Sequence, residues 1–152
     1  EGKNDASAAH QALKNRFLRP SPRVAEGLAL GGLASAAIDI SDGLLADLGH
    51  LCDSSRCGAV IDVEQLPLSA ELLALFRLEA ARTFALSGGD DYELCFTASP
   101  AQARAIEQAL ELLETEVHLI GQLTEEPGVV CRRAGEPFRT TSRGYAHFEH
   151  GH

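Results

Sequence analysis

The amino-acid sequence predicts one domain of the α/β or α+β class, in which helices flank a mixed β-sheet. Two observations predict this class. The chain has 152 residues, an ordinary length for a single domain. Segments with helical periodicity also alternate with short apolar segments typical of strands, without the strict strand-helix-strand repeat of a fully parallel fold.

Five helices are predicted from apolar periodicity and from capping signals. The first is free of helix breakers and is followed by Pro20 and Pro22, which disfavour helical backbone at the preceding residues. We expect Ser41 to cap the third helix and Asp47 to lie on its solvent-exposed side. The last helix begins with a capping box, in which Pro100 occupies the first helical position. The predicted helices cover residues 6–17, 24–30, 42–54, 70–78 and 100–113.

Five strands are predicted from short apolar or alternating segments bounded by turn residues. In the third of them Tyr92, Leu94 and Phe96 alternate with more polar neighbours, so we expect one face of this strand to belong to the core. A Glu-Pro-Gly turn separates the last two strands. The predicted strands cover residues 36–40, 59–63, 92–97, 117–123 and 129–133.

Charge and hydropathy exclude several classes of partner. The formal net charge of -9 disfavours nonspecific binding to nucleic acid or anionic lipid, so we expect neither a nucleic-acid partner nor a membrane partner. The longest uncharged segment, residues 27–38, is shorter than the about 20 residues of a membrane-spanning helix. An acidic surface still accepts phosphates when Mg²⁺ lies between carboxylate and phosphate, so nucleotide chemistry stays possible.

The four cysteines predict a reducing environment. Cys52, Cys57, Cys95 and Cys131 form no CxxC pair and no zinc pattern, and the last two lie in apolar segments. Buried free thiols are the expected state. Together with the lack of a secretory leader at the start of this sequence, they indicate a cytoplasmic protein.

The first candidate site is the segment Asp-Ile-Ser-Asp-Gly-Leu at residues 39–44, where a strand is predicted to meet a helix N-terminus. Asp39 and Asp42 supply hard oxygen ligands that suit magnesium ions, and Ser41 is free to contact a phosphate. The simpler alternative is a capped helix, with Ser41 as the cap and Asp42 as a favourable charge in the first turn.

The second candidate site is the segment Ser-Gly-Gly-Asp-Asp-Tyr-Glu-Leu at residues 87–94. Paired glycines let the backbone approach a ligand closely, and Asp90 and Asp91 after them suit a metal, a cation or an amine. The alternative is a tight turn with solvated aspartates. Because strand ends bring distant loops to one edge of a sheet, the four aspartates of the two segments are candidates for one pocket.

These two segments, together with Arg-Gly-Tyr-Ala-His-Phe at residues 143–148, resemble the C-terminal domain of the thiamine-monophosphate kinases. That family belongs to the superfamily of aminoimidazole ribonucleotide synthetase, and the resemblance covers residues 19–148. It implies the C-terminal fold of that superfamily. It also implies an enzyme that transfers the γ-phosphoryl group of ATP to thiamine monophosphate and gives thiamine diphosphate, with Mg²⁺ as cofactor.

The resemblance also implies a role for particular residues. Asp39 and Asp42 would be magnesium ligands, Ser41 would contact ATP, and Asp90 and Tyr145 would contact the thiamine substrate. An aromatic face and a carboxylate suit a cationic thiazolium ring. The family more often has Glu at the position of Asp90, so we expect this shorter side chain to reach the substrate through water or from a shifted backbone.

In the resembling family an N-terminal domain supplies most ATP and magnesium ligands and the interface of a homodimer, and we expect this chain to correspond to the C-terminal half alone. The predicted organisation is a helix and proline-rich linker over residues 1–22, a substrate- and ATP-binding domain over 23–148, and a tail over 149–152. We expect the chain alone to fold but to lack kinase activity. Two alternatives are a superfamily member with another phosphoryl acceptor and a stand-alone ligand-binding module.

Overall fold

A computed structural model of the chain describes residues 2–138, with side chains from residue 6 onward. Within this range the chain forms six α-helices and six β-strands, and a short 3-10 helix at Pro100–Gln102. The helices are α1 (Gly2–Leu18), α2 (Val24–Ala29), α3 (Leu44–Ser55), α4 (Ala70–Leu75), α5 (Leu78–Ser87) and α6 (Ala103–Glu111). The strands are β1 (Ala36–Asp39), β2 (Gly58–Asp62), β3 (Leu94–Thr97), β4 (Gly121–Thr124), β5 (Gly128–Arg133) and β6 (Glu136–Pro137).

The strands form two sheets. Strands β1 and β3 pair in antiparallel register, with Asp39 opposite Leu94. The second sheet has the order β4-β2-β5-β6, in which β2 is parallel to β5 and antiparallel to β4. This architecture confirms the predicted mixed α/β class. The strands were predicted to form a single sheet, but they form two.

The β1-β3 sheet lies between two hydrophobic clusters. The larger consists of Leu44, Leu48, Cys52, Ala59, Ile61, Val63, Leu66, Leu86, Cys95 and Cys131. The smaller consists of Leu30, Ile106 and Leu110. In β3 Cys95 belongs to the larger cluster, while Leu94 and Phe96 pack against the smaller one. Both faces of β3 therefore contact apolar side chains, which corrects the expectation of a single core face.

Helix α5 is absent from the sequence-based prediction. The predicted fourth helix ended at Leu78, whereas α4 ends at Leu75 and Leu78 is the first residue of α5. The buried residues of α5 are Ala81, Arg82 and Leu86, and the charged residue among them interrupts the apolar stripe by which a helix is recognised. Because α5 ends at Ser87, it delivers the chain directly into the second acidic segment.

The ends of two other helices also differ from prediction. Helix α3 begins at Leu44, two residues later than expected, and its N-cap position is Gly43. The capping-box segment forms the short 3-10 helix, where Ser99 makes no side-chain capping bond, and α6 follows it. Helix α6 ends at Glu111, so Leu112 lies beyond it and is 86% exposed.

Helix α1 packs against α4, and Ala9 of α1 is buried. The proline-rich segment then leads into α2. With 17 residues α1 is the longest helix of the described chain. Neither it nor another helix of residues 2–138 combines the length and apolar character that spanning a membrane requires.

The expectation of free thiols is confirmed. All four cysteines are unpaired, with Cys52, Cys95 and Cys131 buried and Cys57 half-buried. Burial raises the pKa of Cys52 and of Cys95 to about 11, because the thiolate form is disfavoured away from water. These thiols are protonated at neutral pH and act as small apolar core residues.

Candidate functional site

The two acidic segments lie side by side because β1 and β3 pair. The segment of residues 39–44, called the first loop below, follows β1, and residues 87–93, called the second loop, precede β3. Backbone hydrogen bonds extend the pairing into both loops. The Ile40 amide donates to the Glu93 carbonyl (2.8 Å), the Tyr92 amide to the Ile40 carbonyl (2.8 Å) and the Asp90 amide to the Ser41 carbonyl (2.9 Å).

Glycines permit this close approach of the two loops. A Cβ atom at Gly89 would lie 2.7 Å from the Ser41 carbonyl oxygen, closer than real Cβ contacts allow. Gly43 has a φ of 111°, and a Cβ there would lie 3.0 Å from the backbone carbon of Ser87. Side chains at either position would push the loops apart.

The structure brings four of the five predicted site residues together. Asp39 is exposed at the end of β1, Ser41 and Asp42 are half-buried in the first loop, and Asp90 is exposed in the second. The fifth, Tyr145, lies outside the described residues. The roles assigned to these side chains stay predictions, but their convergence is a property of the fold.

Tyr92 reports the electrostatics of this convergence. Its hydroxyl donates a hydrogen bond to Oδ1 of Asp90 (3.2 Å), and this bond raises the pKa of Tyr92 because it stabilises the protonated phenol. The negative charges of Asp90, Asp39 and Asp42 raise it further. Three carboxylates therefore act on one phenol, and the field at this point favours cations.

The backbone around Tyr92 differs from the predicted strand. Tyr92 has a φ of 51° and Asp90 a φ of 64°, both in the left-handed region. That region is uncommon for a bulky side chain, and such conformations concentrate at ligand sites. The strand starts only at Leu94, so the alternation at residues 92–97 gave no signal of this turn.

Asp47 is the main site residue that the sequence analysis misplaced. It was expected on the exposed side of α3, but it is 3% exposed. One oxygen, Oδ2, accepts hydrogen bonds from the amides of Ser41 (2.9 Å), Asp42 (3.0 Å) and Gly43 (3.2 Å). Asp47 thus accepts the amide of the N-cap residue Gly43 and the two amides before it, and no side chain of the described residues caps α3, which corrects the prediction that Ser41 is the cap. An acidic residue in the first turn after a glycine N-cap is the signal that could have indicated it.

The donor chemistry of the two loops fits part of a magnesium site. Carboxylate and hydroxyl oxygens are the ligands that Mg²⁺ prefers. Within residues 2–138, however, no group of three or more His, Cys, Asp or Glu side chains is arranged to hold a metal ion. Asp39 and Asp42 would therefore supply only some of the ligands, and phosphate oxygens, water or other protein groups would complete the set.

Two arginines anchor the second loop to the chain that enters the domain. Arg23 Nε donates to Oε2 of Glu93 (2.9 Å), and its Nη2 donates to Oε1 (2.9 Å). Arg16 also pairs with Oε1 of Glu93, and it donates to the Asp91 carbonyl (3.3 Å). The bonds to Glu93 raise the pKa of Arg23, so this guanidinium stays charged. The paired charges fix the end of the second loop against α1 and α2.

Known proteins share the fold of this chain. A family model described as "AIR synthase related protein, C-terminal domain" matches residues 1–133. The chain belongs to this family. A thiamine-monophosphate kinase of Escherichia coli K12 is 47% identical over 145 residues, which are 95% of this chain and 44% of that protein. The chain thus spans less than half the length of the curated relatives that it matches.

Solved structures agree with this AIR synthase related domain. The crystal structure of thiamine-monophosphate kinase from Stenotrophomonas maltophilia has 45% identity and a TM-score of 0.80, over 86% of this chain and 41% of that one. A structure described as AaThiL complexed with AMPPCP and TMP has 32% identity and a TM-score of 0.72, over 92% and 42%. The resemblance inferred from the two loops is confirmed by these names.

A cleft of about 890 Å³ adjoins the second loop of the AIR synthase related domain, and Asp91 is part of its lining. Although Asp91 as a residue is exposed, the packing of protein atoms around its carboxyl group desolvates it, and this raises the pKa of Asp91. The negative charge of Glu93 raises it further, while Arg16 lowers it. The folded domain therefore disfavours the ionised form of this side chain.

We expect Asp91→Asn to raise the melting temperature of the chain at pH 7. A raised folded-state pKa stabilises the protein below the ordinary pKa of aspartate, and this contribution is lost as the pH rises through the folded-state value. The advantage of the variant should shrink as the pH falls towards 3. Thermal unfolding of both proteins between pH 3 and pH 8 measures it, with Asp53→Asn, an exposed aspartate of α3, as control. An advantage that is constant across this range would contradict the assignment.

Proposed function

We propose that the chain is the C-terminal part of an ATP- and Mg²⁺-dependent kinase that phosphorylates thiamine monophosphate to thiamine diphosphate. The observation that carries the proposal is the contact of the first and second loops, which gathers Asp39, Asp42 and Asp90 around Tyr92. The names of the relatives support the substrate, and the AaThiL complex with AMPPCP, an ATP analogue, and TMP supports the pair of ligands.

In this proposal each loop has a separate task. Asp39 and Asp42 hold Mg²⁺, and Ser41 contacts the ATP phosphates, while Asp90 of the second loop contacts the thiamine substrate with Tyr145. Bound magnesium would neutralise charge on the phosphoryl group that is transferred. The chain's own residues bind and orient the two substrates. Phosphoryl transfer depends mainly on such positioning and on electrostatic stabilisation, so the site needs no covalent nucleophile of its own.

The remaining ligands would come from outside this chain. Relatives are more than twice as long as the part that matches, and we propose that an N-terminal domain of the kind they carry completes the ATP and magnesium site and forms a homodimer. Residues 1–22 would then connect the two domains, residues 23–148 would form the substrate- and ATP-binding domain, and residues 149–152 would be a tail. The unpaired cysteines fit a cytoplasmic location.

The proposal is tested by joining the chain to the N-terminal part of the Escherichia coli relative, a protein called the fusion below. We expect the fusion to form thiamine diphosphate from thiamine monophosphate, ATP and Mg²⁺, as measured by chromatography with fluorescence detection. Neither the 152-residue chain nor the N-terminal part alone should form product above the level without enzyme.

The Escherichia coli kinase assayed in parallel is the positive control. A folded fusion that makes no thiamine diphosphate while this control is active would contradict the proposal. Consumption of ATP only with another phosphate acceptor would instead indicate a superfamily member with a different substrate. ATP binding without turnover of an acceptor would indicate a ligand-binding module.

A further inference from the structure

A single carboxylate oxygen organises the backbone of the first loop. Oδ2 of Asp47 accepts hydrogen bonds from three consecutive amides, those of Ser41, Asp42 and Gly43, at 2.9 to 3.2 Å. Asp47 is 3% exposed and lies in the first turn of α3. The N-cap residue Gly43 has no side chain with which to accept these bonds. Asp47 therefore satisfies the amides from inside the domain.

This geometry determines which ligands the loop is able to receive. Consecutive amides at the N-terminus of a helix ordinarily form a concave site for a phosphate or another anion. At residues 41–43, just before α3, the position of the anion is already taken by the chain's own carboxylate. The negative charge of Asp47 also offsets the positive end of the α3 dipole. A phosphate at residues 41–43 would therefore meet side-chain oxygens and a bound cation, because these three backbone amides already donate to Asp47.

We infer that Asp47 is a positioning residue for the proposed magnesium site, because it holds residues 41–43 in the shape that sets Asp39 and Asp42 relative to Asp90. The inference rests on the proposed function only for the identity of the ion. It also implies that nucleotide phosphates contact residues 41–43 through the metal and the Ser41 hydroxyl, and not through the backbone amides of these residues. Residues that orient metal ligands in this way commonly contribute about 10- to 100-fold to metal affinity.

The test uses the 152-residue chain, labelled with ¹⁵N, and three variants. Asp47→Ala removes the acceptor oxygen, whereas Asp47→Asn keeps an acceptor at the same place. Both variants lose the same charge, so a difference between them reports the hydrogen bonds. Asp53→Asn removes a charge from an exposed position of the same helix and is the matched control.

Two measurements are made on each protein. The hydrogen-exchange rate of the amides of residues 41–43 reports their hydrogen bonds to Asp47, and this measurement does not depend on the activity of the domain. Titration with Mn²⁺, a paramagnetic substitute for Mg²⁺, broadens the amide resonances near the ion and gives the midpoint of binding. Broadening should be localised to residues 39–42 and 90.

We expect Asp47→Ala to speed exchange of the three amides and to raise the Mn²⁺ midpoint about tenfold. Asp47→Asn should show a smaller shift in the same direction, and it carries the test alone if the alanine variant does not fold. Asp53→Asn should match the parent chain. Equal Mn²⁺ midpoints for the alanine and asparagine variants would overturn the inference. If only the asparagine variant folds, a wild-type exchange rate and a wild-type midpoint for it would overturn the inference.

The two proposals fail in different ways. If the parent chain shows no localised Mn²⁺ broadening, the metal site is contradicted. If amides 41–43 nevertheless exchange faster in the Asp47 variants than in the parent chain, the conclusion that Asp47 orders the first loop still holds. In the fusion, Asp47→Ala should raise the Mg²⁺ concentration for half-maximal activity more than Asp47→Asn does. An unchanged Mg²⁺ requirement with a uniformly lower rate would assign Asp47 to stability alone.

Discussion

Asp42→Asn in the fusion should reduce thiamine diphosphate formation by at least about a hundredfold at ordinary Mg²⁺ concentrations. A metal ion at a transferring phosphoryl group contributes several kcal/mol of charge stabilisation, and about 1.4 kcal/mol corresponds to a factor of ten in rate. An amide oxygen is a much weaker ligand than a carboxylate for this ion. The rate is measured as product formed per minute over a range of Mg²⁺ concentrations.

The same titration separates loss of the metal from loss of the fold. Partial recovery of activity at high Mg²⁺ is expected for the Asp42 variant, since the other ligands remain. Asp53→Asn, at an exposed position of α3, controls for the loss of one negative charge, and circular dichroism controls for folding. A folded Asp42 variant with wild-type turnover at ordinary Mg²⁺ would remove Asp42 from the metal site.

The convergence of the two loops was predictable from sequence because it follows from strand pairing. Asp39 ends β1, and the second loop leads into β3, so antiparallel pairing of these strands necessarily sets the loops beside each other. Two strands of the other sheet were also located well, since β2 and β5 each begin within one residue of the predicted start, whereas β4 begins four residues later than predicted and β6 was not predicted. Local apolar patterns suffice for such elements.

Asp47 and Arg82 were not predictable in the same way. Each is a charged residue in a helix, and helical periodicity assigns charged residues to the solvent-exposed face. Burial of Asp47 depends on amides that lie before its helix, and burial of Arg82 is accompanied by its ion pair with Glu79 (3.1 Å), which also pairs with Arg133 of β5. Arg133 lies in another element, so a partner of this kind is invisible to a pattern within one segment. The partners of Asp47 lie only four to six residues before it, and a capping argument was needed to find them in place of periodicity.

Tyr92 shows a third kind of limit. Its alternation with Leu94 and Phe96 is a correct strand signal, yet the strand starts two residues later. The amide of Tyr92 does donate to the Ile40 carbonyl, so pairing continues while the backbone turns into the left-handed region. The turn occurs where the backbone of Tyr92 bonds the first loop, and a bulky residue has no local preference for the left-handed region by which the turn could be predicted.

Gly89→Ala should cost about 1–3 kcal/mol of the free energy of unfolding and reduce activity of the fusion by more than about tenfold. The new Cβ would lie 2.7 Å from the Ser41 carbonyl oxygen. This oxygen belongs to the backbone, so no side-chain rotation relieves the contact, and the loops must separate. The Asp90 amide bonds the same oxygen at 2.9 Å, so separation also strains the bond that aligns Asp90 with the first loop.

Gly49→Ala is the matched control, because a Cβ at this position in α3 would meet no atom within 4 Å. Alanine in the middle of a helix should raise stability by about 0.5–1 kcal/mol, since glycine loses more backbone entropy on folding. The same chemical change is thus expected to have opposite signs at the two positions. Urea unfolding of both variants measures the signs, and the fusion assay measures activity. Gly89→Ala with wild-type stability and wild-type activity would show that contact between the two loops is not what holds the site together.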